Sequence, residues 1–169
     1  MIPVSIPYVS KNQKKYVNDC LDRNWISAFG KYDKALCKKF SNFINTKYAS
    51  TCSNGTVALH LALLAAGVKK NDEVIMANFN GPYALFACTY INAVPVLIDI
   101  DNDWDIGLSD LKKAISNKTK AIIVSHLYGI PSRLIEISKL CKSLGILVIE
   151  DCAEAHGAEE GNKKVGSIG

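Results

Sequence analysis

One apolar segment ends in acidic side chains of the type that could bind a cationic ring. The run from Ile146 to Ile149 leads directly into Glu150 and Asp151. A carboxylate at the end of a buried strand is unfavourable unless a cation pairs with it. A protonated pyridine nitrogen is such a cation, and an acid paired with a pyridinium is part of pyridoxal phosphate chemistry. Asp151 is therefore a candidate cofactor contact, although helix caps and salt bridges also place acids at strand ends.

A second segment could bind an anion. The residues from Ser53 to Thr56 directly precede an apolar helical segment. Backbone N–H groups at a helix N-terminus, together with the helix dipole, attract phosphate. Gly55 would let a phosphate approach the backbone, and Thr56 could add a hydroxyl group. The alternative is an ordinary cap by Ser53 or Asn54 without a ligand. The sequence contains neither a P-loop nor a G-x-G-x-x-G motif, which argues against nucleotide-binding folds of those types.

The elements that must position these residues alternate along the chain. Short apolar runs predict strands over residues 72–77, 95–100, 120–126 and 146–151. Apolar residues at helical spacing predict helices over residues 10–23, 33–45, 56–67, 82–93, 109–116 and 131–145. This alternation is typical of an α/β fold with a mostly parallel sheet flanked by helices. The helix over 56–67 is apolar on nearly all sides, which predicts that it is buried.

The carboxyl ends of the predicted strands carry polar residues. They are Asn78, Asp99, His126 and the Glu150-Asp151 pair. In open parallel sheets, ligands bind beyond these ends. We expect residues 1–50 to form an N-terminal arm with two helices and residues 51–169 to form the sheet domain that carries the ligand site.

Composition narrows the class of protein. The chain has 169 residues and a net charge of +4, but its lysine pairs are scattered and form no basic stripe, so we expect no nucleic-acid partner. None of the six cysteines forms a C-x-x-C motif, which argues against a zinc site, and we expect no metal. The start has no signal-peptide pattern and no long apolar span occurs, so we expect a cytoplasmic protein without a membrane partner.

Several segments resemble one enzyme family in order and spacing. They are "NWIS", "SNGTVALHLALLAAGV", "DEVIMANF", "PVLIDID", "KAIIVSHLYGIP" and "LVIEDCAEAHGA" followed by "KKVGSIG". This combination is similar to the DegT/DnrJ/EryC1/StrS family of pyridoxal-phosphate-dependent sugar-nucleotide aminotransferases, with perosamine-synthetase-like features, over essentially the whole chain. The resemblance implies the type I fold of pyridoxal phosphate enzymes, of which the chain would hold an incomplete large domain.

The resemblance also implies roles for individual residues. The positions that match the family's cofactor contacts are Asn54, Gly55, Thr56, Asp151, Ala153 and Glu154. Gly55 and Thr56 would bind the phosphate, Asp151 the ring nitrogen, and Ala153 one face of the ring. Glu154 lies where many members have glutamine, near the phenolic oxygen of the ring. Because an ionised glutamate would repel a phenolate, we expect Glu154 to be protonated or to share a proton there.

The chain departs from the family pattern at two positions. Many members stack an aromatic side chain on the second ring face, and the aligned position here is Gly81. Tyr83 could take that role and Phe79 is the other candidate, while ordinary core packing is the alternative for both. Cys152 replaces a usual alanine, which we interpret as a small buried side chain.

The resemblance implies the remaining site residues through an N-terminal loop and through the segment "HLYG", both of which match the family. Trp25, Ser27 and Gly30 in "NWISAFGKY" are candidate contacts to a sugar nucleotide. His126 in "HLYG" would lie near the substrate pocket, with a hydrogen-bonded structural role favoured over a catalytic one. We interpret His60 and His156 as structural.

The implied activity is the transfer of an amino group, from glutamate, to a nucleotide-linked keto-deoxy sugar for polysaccharide or glycan biosynthesis, by a homodimer. The Schiff-base lysine of the family follows the segment that matches Gly166 to Gly169, so we expect it beyond the chain and assign no catalytic residue. Two alternatives stay open. One is a non-catalytic fragment or one half of a split enzyme, and the other is a pyridoxal-phosphate-dependent sugar 3-dehydratase, which has histidine in place of that lysine.

Overall fold

The structure is a computed structural model that describes residues 1–3 and 6–169. Residues 4 and 5, which belong to the predicted N-terminal arm, lie outside the described residues. The chain divides into two compact units. The first comprises Met1–Phe43 and Lys47–Thr51, and the second comprises Ile44–Thr46 and Cys52–Gly169.

The first unit is helical. Helix α1 spans Lys11–Asp22 and α2 spans Lys31–Ile44, so both predicted helices are confirmed, the second starting two residues early. Helix α1 begins at a capping box, because the Ser10 hydroxyl accepts the Gln13 N–H while the Gln13 side chain accepts the Ser10 N–H.

The second unit contains a four-stranded parallel sheet with strand order β2-β1-β3-β4. The strands are β1 (Glu73–Ala77), β2 (Val94–Ile98), β3 (Thr119–Ser125) and β4 (Leu147–Asp151). The helices of this unit are α3 (Gly55–Ala65), α4 (Tyr83–Tyr90), α5 (Leu108–Ala114) and α6 (Leu134–Leu144). A short antiparallel hairpin, β5 (Glu159–Glu160) and β6 (Lys163–Lys164), follows the sheet. The predicted α/β fold with a parallel sheet is confirmed.

Each face of the sheet has its own apolar core. On one face, Val74 and Ile123 pack with residues of α3 and α4. On the other face, Ile122 and Val124 pack with residues of α5 and α6. Strand side chains alternate between faces, and in β4 Ile149 packs against the first core while Val148 packs against the second. This alternation directs Asp151 to the face of α3 and α4, and Glu150 to the face of α5 and α6.

The prediction that the α3 segment is buried is wrong for its outer side. Leu59 and Leu63 are buried, but Leu61 and Leu64 are 52% and 49% exposed. The physical reason is that a helix lying on one face of a sheet buries only the stripe that faces the strands. His60 is half-buried on this helix, and its ring packs edge-on against Tyr90 with 5.5 Å between ring centroids.

Helix α6 begins later than its sequence predicts. Pro131 suggests a start at residue 131, but the helix begins at Leu134. The preceding backbone has other partners, because the Ser132 N–H donates to the ring of His126. The first helical N–H, of Leu134, donates to the carboxylate of Glu160 at 2.9 Å. Within the described residues, no helix combines the length and the apolar character needed to cross a membrane.

Candidate functional site

The topology gathers the predicted cofactor residues at one edge of the sheet. A helix that connects two parallel strands runs opposite to them, so α4 begins at the edge where the strands end. Helix α3 precedes β1 through a short connection and packs on the same face, so its N-terminus also points to that edge. Asp151 ends β4 on this face. The carboxylate and the two helix N-termini therefore share one edge and one face.

The N-terminus of α3 offers an open anion site. Asn54 caps the helix, because its Oδ1 accepts the Val57 N–H at 3.0 Å. The N–H groups of Gly55 and Thr56 have no partner among the described residues. A Cβ atom on Gly55 would meet nothing within 4 Å, so no described side chain fills the space beside this glycine. The capping alternative is thus realised by Asn54, and it still leaves two donors that fit a phosphate group.

Among the described residues, Asp151 has no cationic partner. Its Oδ1 accepts the N–H of Ala153 at 3.2 Å, a local turn interaction at the strand end. No basic side chain lies within salt-bridge distance in the part of the chain that the structure describes. The salt bridge considered from the sequence is therefore not made there. A half-buried carboxylate with one neutral donor fits a bound cation such as a protonated ring nitrogen.

The carboxylate of Glu154 is held by the turn that follows β3. Its Oε2 accepts the N–H of Tyr128 at 2.8 Å. Tyr128 and Gly129 adopt left-handed backbone conformations, with φ of 54° and 81°, in the tight turn that contains this N–H. The sequence offered no signal for this contact, because the two residues are 26 positions apart. The predicted proton sharing by Glu154 stays a prediction.

Tyr83 occupies the space of the missing side chain at residue 81. A Cβ atom on Gly81 would lie 2.5 Å from Cε2 and 2.7 Å from Cδ2 of the Tyr83 ring. Tyr83 as a residue is 56% exposed, so core packing does not account for the position of its ring. The other candidate, Phe79, packs edge-on against Trp104 with 5.1 Å between ring centroids. The geometry therefore favours Tyr83 as the substitute aromatic residue.

His126 is a buried residue with two protein partners. Its Nδ1 accepts the N–H of Ser132 at 3.0 Å, so the ring proton of the neutral form lies on Nε2, which faces Glu150 at 3.4 Å. His126, Glu150 and Cys152 form a cluster of metal-ligand type. However, neither nitrogen of this tautomer keeps a lone pair for a metal, which argues against that role. The same contacts favour the structural role of His126 over a direct contact with substrate.

Cys152 is half-buried rather than fully buried. Burial, with the nearby charges of Glu150 and Asp151, raises the pKa of its thiol to about 12. It is therefore a neutral, weakly nucleophilic side chain.

The first unit contains the candidate substrate residues in one cavity. Trp25, Ser27 and Gly30 line a cavity of about 870 Å³. A Cβ atom on Gly30 would lie 2.7 Å from Nε1 of Trp25, so glycine allows the indole to pack against the backbone. Lys31 and Arg23, at 2.5 and 2.9 Å from the Asp19 carboxylate, line the cavity too. They hold the pKa of Asp19 well below its usual range.

The sequence matches a family model over residues 7–169, that of the DegT/DnrJ/EryC1/StrS aminotransferase family. The chain belongs to this family. The resemblance inferred from the sequence is confirmed.

Individual relatives show the same similarity. The chain is 46% identical to a GDP-perosamine synthase of Escherichia coli O157:H7 and 41% identical to one of Vibrio cholerae. These matches cover 99% and 100% of the present chain. Among solved structures, an aminotransferase from Psychrobacter cryohalolentis matches 99% of the chain with a TM-score of 0.93 and 32% identity. The chain spans 46% of the length of both curated relatives and 43% of that structure.

Proposed function

We propose that the chain forms the N-terminal part of the cofactor-binding domain of a pyridoxal-phosphate-dependent sugar-nucleotide aminotransferase. The observation that carries the proposal is that Asp151 and the N-terminus of α3 lie at the same edge of the sheet. The chain's membership of the aminotransferase family gives this arrangement its meaning. Asp151, which has no cationic partner in the described part of the chain, lies on the same face as the open N-terminus of α3. A ligand with a phosphate and a cationic ring nitrogen matches both groups.

The residues present fit this cofactor. When bound, pyridoxal phosphate supplies an electron-withdrawing ring that stabilises a carbanion on the substrate. The N–H groups of Gly55 and Thr56 would bind the phosphate, and Asp151 would keep the ring nitrogen protonated. Tyr83 would cover one face of the ring and Ala153 the other. Glu154, oriented by the N–H of Tyr128, would hold or share a proton at the phenolic oxygen.

The proposed substrates are a nucleotide-linked keto-deoxy sugar and glutamate as amino donor. The GDP-perosamine synthases support the sugar nucleotide. A solved GDP-4-keto-6-deoxymannose-3-dehydratase that matches the chain with 28% identity contains a trapped adduct of the cofactor and glutamate, which supports the donor. Within the first unit, the cavity lined by Trp25, Ser27 and Gly30 is the proposed place for part of the sugar nucleotide. The resemblance supports a cytoplasmic homodimer for the whole protein.

The dehydratase is the second candidate function, because structures of that enzyme match 97% of the chain with TM-scores of 0.88 and 0.89. The aminotransferase is favoured by the higher identity to the perosamine synthases. Residues 1–169 contain no position that matches the lysine or histidine separating the two activities. A chain that acts only as a fragment, or as one half of a split enzyme, would use the same cofactor contacts.

Calorimetric titration with pyridoxamine 5′-phosphate tests the proposed cofactor site. This form of the cofactor has no aldehyde, so it does not react with surface lysines. We expect it to bind at least about tenfold more tightly than unphosphorylated pyridoxamine, and Asp151→Asn to weaken it by about tenfold or more, as expected for a lost charge-assisted hydrogen bond. Asp22→Asn, at an exposed residue of α1, is the matched control. Equal affinities of the two amines, or an unchanged affinity in Asp151→Asn, would refute the proposal.

A further inference from the structure

One buried carboxylate holds the segment that follows the hairpin. Glu150 Oε1 accepts the N–H groups of Ile168 at 2.8 Å and Gly169 at 2.6 Å. Its Oε2 accepts the N–H of Gly166 and faces Nε2 of His126. The side chains of Glu150 and His126 are 5% and 0% exposed. Four donors therefore surround the two oxygens, which is about the full acceptor capacity of a carboxylate.

The surrounding groups keep this carboxylate charged. Burial alone would raise the pKa of Glu150, but the hydrogen bonds from His126 and from the N–H groups of Gly166, Gly169 and Ile168 outweigh burial and hold the pKa below its usual value. The neighbouring Cys152 thiol does not compete as an acid, because its own pKa is raised to about 12. The charge of Glu150 is thus maintained by donors that it simultaneously holds in place.

Glu150 and Asp151 are adjacent in sequence and direct their side chains to opposite faces of β4. Asp151 lies on the face of α3 and α4, where the proposed cofactor contacts meet. Glu150 lies on the other face, where His126 and backbone N–H groups of residues 166–169 are its hydrogen-bond partners. Glu150 can therefore fix the end of β4 from the face of α5 and α6 without occupying the face of α3 and α4, where the cofactor is proposed to bind.

We infer that Glu150, supported by His126, is a positioning residue that ties residues 166–169 to the end of β4 and thereby fixes the backbone that carries Asp151. His126 contributes because Ser132 sets its tautomer, so that Nε2 presents a proton to the carboxylate. The anchoring of residues 166–169 is independent of the proposed function. The effect on the cofactor through Asp151 rests on it.

Amide hydrogen exchange tests the anchoring in the chain itself. In Glu150→Gln, an NH₂ group replaces one acceptor oxygen, so at least one backbone donor loses its partner and faces another donor. We expect the protection factors of Gly166, Ile168 and Gly169 to fall by about tenfold or more. The matched control is Glu136→Gln, at an exposed glutamate of α6, which should leave them within about twofold. Unchanged protection in Glu150→Gln would overturn the inference.

A measurement on the unmodified chain covers the case in which the variant does not fold. Because the folded-state pKa of Glu150 is lowered, its hydrogen bonds are complete above the ordinary glutamate pKa and are lost as the pH falls through the lowered value. We expect the amide resonances of Gly166, Ile168 and Gly169 to titrate together at a pH below the ordinary pKa of glutamate. Resonances that titrate separately, or that do not respond to acid before global unfolding, would contradict the anchoring.

The positioning effect has its own readout. We expect Glu150→Gln to lower the affinity for pyridoxamine 5′-phosphate by about fivefold, although Glu150 faces away from the site. Glu136→Gln should leave this affinity unchanged. If Glu150→Gln lowered the protection factors of residues 166–169 but bound pyridoxamine 5′-phosphate with wild-type affinity, the positioning role would be overturned. If no form of the chain bound the ligand, the proposed function would fail, and the exchange data would still decide whether Glu150 anchors residues 166–169.

Discussion

The pairing of Gly81 with Tyr83 gives a prediction that separates stability from ligand binding. In Gly81→Ala, the new Cβ would lie 2.5 Å from Cε2 of Tyr83, whereas ordinary contacts begin at 3.4 Å. The Tyr83 ring must therefore move by about 1 Å. Tyr83 is more than half exposed, so its ring can rotate into solvent, and we expect the free energy of unfolding to change by less than about 0.5 kcal/mol.

The same movement of the Tyr83 ring should weaken the binding of the cofactor analogue pyridoxamine 5′-phosphate. An aromatic stacking interaction contributes about 0.5–1.5 kcal/mol beyond area burial, which corresponds to a loss of about 2- to 12-fold in affinity. We expect Gly81→Ala and Tyr83→Ala each to raise the Kd of pyridoxamine 5′-phosphate within this range, measured by calorimetry. The two changes should be non-additive when combined, because both remove the same ring from its position.

The control is Tyr90→Ala at the opposite end of α4, where the tyrosine is similarly exposed at 58%. It should leave the Kd unchanged, because its ring packs against His60. If the Kd changed in neither Gly81→Ala nor Tyr83→Ala, Tyr83 would not stack on the ring. If it rose equally in all three variants, the effect would be a general one on α4.

Two further predictions concern stability. Leu63→Ala removes a fully buried side chain and should lower the free energy of unfolding, measured by urea denaturation, by about 2–5 kcal/mol. Leu61→Ala, on the exposed side of the same helix, should lower it by less than about 1 kcal/mol. Similar losses in the two variants would show that the outer side of α3 is also packed. Asn54→Ala removes the cap of α3 and should cost about 1 kcal/mol, while Asn54→Ser should restore most of it, and a null effect of the alanine would show that the cap contributes nothing.

The sequence predicted the elements well because their signals are local. The apolar runs of the strands and the glycine and proline boundaries of the helices need only neighbouring residues to be recognised. The start of α6 was misplaced because its first turn depends on distant partners, His126 and Glu160. The burial of α3 was misjudged because apolar composition does not show how many sides of a helix will be covered.

The candidate site divides in the same way. By itself, the sequence determined which residues have the chemistry for a phosphate and a pyridinium, because Gly55, Thr56 and Asp151 lie in recognisable local patterns. Only the tertiary structure decided that the ring of Tyr83 takes the place of a side chain at Gly81, and that Glu150 holds residues 166–169. The physical reason is that strand alternation and chain reversal bring together groups that are far apart in sequence, and a carboxylate shows its donors only when the backbone has folded around it.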